Sequence, residues 1–329
     1  MCLESTDNAM TYFNALPLLR MGLLFFAFTT TGLAMHQSTA NDRTLHTLYQ
    51  ILAKQPADIA TRITVASGYL LGKPYLLHAL GDGPYGDYDQ GPLYRFDAFD
   101  CETFVDTVLA IALAHDSLSF QNRINRIRYH HGHVSFITRN HFTDLDWNTN
   151  NQKNGYITDI TKTMHDKQNQ PVYQLAKALI DKPRWYSQFT MDKINLPHLK
   201  REEQQKKLAA LIHEGQKQPR HLVHLPYIPF TTLFHGDKPN TYLFNQIPNA
   251  AIIEIVRPNW APANLGTHLT ISHLGWAIWD KGQLFFREAS SLKQHVIDVP
   301  LIDYLQEAKK SPSIKGIHIE MPVCHGAYP

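Results

Sequence analysis

Apolar positions along this chain change their period near residue 219. Before it they recur mostly at helical spacing. Leu45, Leu48, Ile51 and Leu52 mark one helix; Ile59, Ile63, Val65 and Leu70 mark a second, closed by Gly72-Lys73-Pro74. Phe104, Val105, Val108, Leu109 and Ala112 mark a third, which starts after Asp100, a favoured N-cap residue. Residues 117–131, 171–182 and 198–216 also read as helices. Residues 81–91 are dense in Gly, Asp and Tyr and end at Pro92, so they read as a surface loop able to wall a cleft. Residues 133–142 read as part strand and part loop, and 148–155 as polar turn. After Pro219 the runs become short, β-branched or aromatic. Residues 222–229, 251–256, 269–279, 283–287 and 317–321 read as strands, with a short helix over 299–309. The pattern predicts an α+β protein, with a helix-rich lobe over 41–218 and a β-rich lobe over 219–329.

The first forty residues follow another pattern. Arg20 precedes the apolar run Met21–Phe28, and Gly32 and Ala34 supply the small residues of a cleavage site; a second candidate site follows Ala40. Residues 1–34 therefore read as a secretory signal and the protein as exported, to the periplasm. The run falls short of the ~20 residues a membrane span needs, so no stable span is expected in the mature chain. The 31 basic and 29 acidic residues give a net charge of +2. No basic block with interleaved aromatics occurs, which argues against a nucleic-acid partner. The 19 histidines raise the question of a metal. The densest group, His130-His131-Gly132-His133, has no H-E-x-x-H pattern and no acidic residue at ligand spacing. No metal or other cofactor is assigned.

Cys101 is the candidate nucleophile. As the first residue of a helix it meets the positive end of the helix dipole, which favours a thiolate. Its position on the Val105–Val108 stripe equally suits a buried core residue. Cleavage of the leader would remove Cys2 and leave Cys101 and Cys324, too few for a disulfide scaffold; a nucleophile requires Cys101 to be a free thiol. The candidate base is His273, in Thr270–Trp279. Asp280-Lys281-Gly282-Gln283 reads as a hairpin turn. With Lys281-Gly282 as its two-residue loop, Trp279 faces Leu284, Gly275 faces Glu288 and His273 faces Ser290. Glu288 is then diagonal to His273 on one face, with Gly275 leaving space between them. Glu288 could hold one ring nitrogen while the other faces the thiol, the nucleophile–base–orienter logic of a triad.

Several ordered segments carry a resemblance. They are Tyr69–Tyr75, Phe99-Asp100-Cys101-Glu102-Thr103-Phe104-Val105, Ile127-Arg128-Tyr129 before Gly132, Arg139-Asn140-His141-Phe142, Gly155–Thr161, Ser272-His273-Leu274-Gly275 and Ala289-Ser290-Ser291. Together they resemble the NlpC-type papain-like cysteine hydrolases, and within them the bacterial N-acetylmuramoyl-L-alanine amidase-like branch. The resemblance implies a papain-like fold with the nucleophile helix packed on a curved antiparallel sheet or barrel. It implies hydrolysis of amide bonds in peptidoglycan fragments, at the bond between N-acetylmuramic acid and L-alanine of (anhydro-)muropeptides, with Cys101 as nucleophile and His273 as base. Where the resemblance leads one to expect a histidine before Ala-Ser, this chain has Glu288. That departure motivates an alternative, a muropeptide-binding protein with impaired catalysis; another is a peptidase cutting within the stem peptide. Muropeptides carry carboxylates and sugars. Arg128, Arg139 and His141 are candidates for the former, Tyr75, Tyr85, Tyr88 and Tyr94 for the latter, and Asp100 stands at the same helix start.

Overall fold

A computed structural model describes residues 29–323, so most of the expected signal sequence lies outside the described residues. Among the described residues the helices are α1 (Thr29–Leu52), α2 (Ile59–Tyr69), α3 (Cys101–Leu113), α4 (Ser117–Arg128), α5 (Thr149–Lys153), α6 (Lys182–Ser187), α7 (Arg201–Gln216), α8 (Phe230–Leu233), α9 (Thr241–Phe244) and α10 (Leu301–Ala308). The strands are β1 (Ile157–Asp159), β2 (Gln174–Asp181), β3 (Arg220–Pro229), β4 (Phe234–His235), β5 (Lys238–Pro239), β6 (Ile252–Trp260), β7 (Leu269–Asp280), β8 (Gln283–Ser290), β9 (His295–Pro300) and β10 (Gly316–Pro322). No helix among the described residues is long and apolar enough to cross a membrane.

One antiparallel sheet organises the molecule, in the order β2-β3-β10-β6-β7-β8-β9, with β1 also paired to β10. Its two end strands do not pair with each other, so the sheet is open and the barrel expected as one form of it does not occur. The mixed helix and antiparallel-sheet class is as expected. β2 precedes residue 218 and pairs along its whole length with β3, which follows it, so the sheet draws on both sides of the expected lobe boundary.

Residues 171–182, read as a helix, hold β2 instead. Leu175, Lys177 and Leu179 are exposed while Ala176, Ala178 and Ile180 are buried, a two-residue period made by pairing with β3. Ala, Leu and Lys favour helices locally, and the long-range ladder overrides them. Residues 148–155, read as polar turn, contain α5, which ends at Lys153 and is followed by its C-cap Asn154 and the left-handed Gly155 (φ 69°). The strand expected within 133–142 is replaced by short helical turns and a single bridge from Tyr129 to Arg139.

The pleat of β7 sorts two cores. Leu274, Trp276 and Ile278 point into the core that contains Cys101, Phe104, Val105, Val108 and Ala112 of α3. Ala277 points into a second core with Phe286, Leu301 and Leu305 beside α10. Fully burying one valine of α3 contributes about 1.5–3 kcal/mol. Arg62 of α2 donates from Nε to Ala112 O (2.7 Å) and from Nη2 to Ile111 O (3.2 Å), satisfying the carbonyls at the end of α3. An aspartate at Val108 would place an unpaired charge between these packed layers and break the helix–sheet contact.

Candidate active site

α3 starts at Cys101 because Asp100 caps it. Asp100 is extended (φ −93°, ψ −179°), and its side chain accepts the Thr103 N–H at 2.9 Å. The Thr103 hydroxyl accepts the Asp100 N–H in return at 3.0 Å. The second Asp100 carboxylate oxygen accepts the His78 N–H at 3.1 Å. Both oxygens of Asp100 are thus engaged in building the helix start. Cys101 is fully buried, at the positive end of the α3 dipole. It is disulfide-bonded, so the free thiol expected of a nucleophile is not the form the structure holds.

A short extended segment carries this helix start to one end of the sheet. The Tyr75 N–H donates to Gln294 O, Leu76 N–H to Phe99 O, and Gly72 and Val296 exchange with the same segment. Ser290 pairs with His295 at the start of β9. Extending the observed β7–β8 ladder by register places His273 opposite Ser290. The α3 N-terminus and His273 therefore lie at the same end of the sheet.

The hairpin register is the expected one: Trp279 pairs with Leu284 and Trp276 with Arg287. Lys281 (φ 47°) and Gly282 (φ 81°) both take the left-handed conformation of a tight two-residue turn. His273 and Glu288 are buried, and His273 Nε2 and a Glu288 carboxylate oxygen are hydrogen-bonded to each other. Gly275 does not leave the space beside them empty. A Cβ there would lie 2.8 Å from the Phe286 ring and 2.7 Å from Arg287 O, so glycine is needed for close packing. The His273 ring stacks on Tyr304 at 6.2 Å and meets Phe286 edge-on at 5.7 Å, on the α10 side of the sheet. Cys101 packs with Leu274, Trp276 and Ile278, which leave β7 by the other side, so the imidazole does not face the thiol as expected: the two share an end of the sheet but not a face.

In front of the α3 start lies a cleft of about 320 Å³. His78, Asp100, Glu102, Asp106, Arg128, Arg139, His141 and Trp185 are among its lining residues. Arg139 donates from Nε and Nη2 to Asp82 (3.1 and 2.5 Å) and from Nη2 to Asp89 (3.0 Å), and Asp82 also accepts the Tyr129 hydroxyl at 2.8 Å. Its charge is therefore matched internally. His141 Nε2 meets Phe136 O at 2.7 Å, and the ring lies 4.6 Å from Phe136 and 4.8 Å from Trp185. Burial, with the Arg139 charge, holds His141 well below the usual histidine range, so it is a neutral wall residue. Arg128 faces the cleft from its floor. Tyr75 is half-buried against the α3 core. Tyr94 accepts from Gln121 at 3.1 Å and packs edge-on to Phe120, while Tyr88 packs on Phe136 and Tyr85 is exposed. Among the described residues no three His, Cys, Asp or Glu side chains are grouped to hold a metal ion.

His78, Glu102 and Asp106 escaped the sequence reading. His78 has a left-handed backbone (φ 56°), rare for a residue with a side chain. Asp106 had a signal: an acid within an otherwise apolar helix run is unusual unless it faces a partner. That partner is the Trp147 indole, which donates to it at 2.6 Å.

The family model for AmiA-like proteins, N-acetylmuramoyl-L-alanine amidase-like, matches residues 65–314. Protein LPG0564 from Legionella pneumophila, assigned to family DUF1460, is 47% identical over 88% of this chain and 98% of its own, with a TM-score of 0.85. An N-acetylmuramoyl-L-alanine amidase from Bacteroides uniformis is 23% identical over 80% of this chain and 98% of its own, with a TM-score of 0.57, a likeness of fold. No curated protein matches the chain. The chain belongs to the AmiA-like, N-acetylmuramoyl-L-alanine amidase-like family.

Proposed function

From that membership we infer that this protein is an exported, periplasmic amidase acting on peptidoglycan fragments, with Cys101 as nucleophile. The observation that carries the reading is the capped start of α3, within the family match: Asp100 and Thr103 fix the backbone that presents Cys101 at the helix dipole. The reduced Cys101 thiolate attacks the lactyl carbonyl of the muramyl amide. A general acid then protonates the leaving amine of L-alanine and activates water to hydrolyse the thioester; we assign this role to His273, at the same sheet end, which has to reach the Cys101 side around the end of β7. Glu288 holds the imidazole through Nε2 and stabilises its charged form. The Cys101 backbone N–H contributes to the oxyanion hole for the tetrahedral intermediate. A papain-like arrangement of helix start and sheet end is part of this reading.

The test is digestion of purified anhydro-muropeptides by the reduced protein, read by mass spectrometry. Release of intact stem peptide and free sugar supports the reading, and release of a shortened stem points to a peptidase. The bridged state of Cys101 favours one second reading, a muropeptide-binding protein without turnover. Turnover that appears on adding reductant and vanishes in Cys101→Ala excludes it.

A further inference from the structure

Arg128 ends α4 and is 5% exposed, yet it lines the cleft. Its Nη1 is held between Gly81 O (3.1 Å), Leu93 O (3.0 Å) and the Tyr129 hydroxyl (3.1 Å). Its Nε and Nη2 make no hydrogen bond among the described residues. The Asp106 carboxylate oxygen closest to Nε is 3.7 Å away, beyond hydrogen-bond reach. Arg139, a few residues along, has Nε and Nη2 bonded to Asp82 and Asp89. A guanidinium this deep, fixed by one nitrogen and open on the others, is preorganised to receive a planar two-oxygen acceptor.

Asp106 shares the floor. One oxygen accepts from Trp147 Nε1, and the other faces Arg128. Burial first, then the Glu102 charge, push the Asp106 carboxyl up to about 8, against the pull of Arg128 and the Trp147 bond. At neutral pH it therefore keeps its proton and donates. The Arg128 charge is then left for a ligand.

We propose that Arg128 and Asp106 form a subsite for a carboxylate of the substrate, so that the cleft selects short peptide stems with a free acid over their amidated forms. This rests on the amidase reading above and takes the cleft in front of the α3 start as the muropeptide site. The acids on the rim, Asp100, Glu102 and Asp192, disfavour a multiply charged anion such as a phosphate dianion and leave a single carboxylate as the fitting ligand. The groups that face Asp106 are Asp100 and Glu102 on its own helix and Arg128 from α4. Across the cleft are neutral His141, His78, Lys193 and the internally matched Arg139. Raising the pH through about 8 turns Asp106 from a donor into an anion beside the ligand, and carboxylate binding weakens.

The test uses the full chain carrying Cys101→Ala, so that binding is read without turnover. Calorimetric titration compares N-acetylmuramoyl-L-alanyl-glutamate with its C-terminal diamide. The acid is expected to bind about tenfold or more tightly at pH 7. That preference collapses in Arg128→Gln. Asp106→Asn keeps it at pH 7 and abolishes its decline above pH 8. Equal binding of acid and amide, or no binding of either, overturns the subsite, as does a preference that survives Arg128→Gln. Should Arg128→Gln not fold, the pH series decides: a decline unchanged by Asp106→Asn overturns the proposal. An intact acid preference in a protein that releases no sugar would instead refute the amidase reading alone.

Discussion

Two buried histidine–glutamate pairs sit on this sheet, and they are built differently. His273 and Glu288 face each other diagonally across β7 and β8, at the end of the sheet where α3 starts. His318 and Glu320 are neighbours on one face of β10, in the middle of the sheet. His318 has both ring nitrogens engaged, Nε2 with Glu320 (3.0 Å) and Nδ1 with Pro226 O (2.8 Å) and Thr161 (3.0 Å). Burial alone would depress it. The Glu320 hydrogen bond and the charges of Glu254, Glu320 and Asp159 outweigh that and push it up to about 9. It is an imidazolium at neutral pH, and it is buried within the sheet. Glu254, beside it, is pushed up to about 8 by burial and by Glu320. Residue types and burial are thus alike in the two pairs. What separates a candidate base from an internal ion pair is position: one is at the sheet end that receives a helix start, the other under α5.

The largest effect that would sharpen this contrast is on turnover. Cys101→Ala should lower muropeptide hydrolysis by at least about 10³-fold and His273→Ala by about 10²–10⁴-fold. Cys101→Ala should leave the melting temperature of the reduced protein nearly unchanged. Turnover that persists in His273→Ala would remove the distinction between the pairs. His318→Ala should act on the other observable. Breaking a buried pair costs about 3–5 kcal/mol, a fall in Tm of ~10 °C, with kcat per folded molecule retained. Next in size is the pH dependence of stability. His318, Glu254 and Asp106 all have folded pKa values above their ordinary ones, so the folded state holds protons that the unfolded chain has released. Their contribution is full below the ordinary values and is lost as pH rises, through about 8 for the acids and about 9 for His318. Thermal melts should therefore show Tm falling by several degrees between pH 6.5 and 9; a Tm that rises over that range contradicts the assignment. The smallest effect concerns Glu288. Glu288→Gln should reduce kcat about tenfold, whereas Glu288→His, the residue the resemblance leads one to expect, should keep most of it.

The β7–β8 hairpin could be read from sequence because its register is local. Lys281-Gly282 sets the turn, the turn sets Trp279 opposite Leu284, and the two-residue period does the rest. The α3 start was readable for the same reason, since Asp100 and Thr103 are three residues apart. Arg139 was not: its partners Asp82 and Asp89 are 57 and 50 residues away, and a lone sequence gives no sign that its donors are already matched. Strand β2 was misread because its partner β3 lies beyond α7. β9 was missed because Asp298 and Pro300 interrupt the apolar Val296, Ile297 and Val299, leaving a run too short and broken to stand out until β8 supplies its hydrogen bonds. Bridging of Cys101 depends on a second cysteine whose place no periodicity reveals.

The last strand among the described residues, β10, lies in the interior of the sheet, between β3 and β6, and also receives β1. Until residues 316–322 are synthesised, the sheet is two separate ribbons with a missing middle. The unfinished chain has exposed strand edges and no closed core beneath α5. Pairings that span half the sequence, such as Ile157 with Pro322, make folding slow and late rather than progressive. A nascent chain therefore stays open to proteases and holding chaperones until β10 has emerged, and deletion of residues 316–322 should remove the fold rather than trim it.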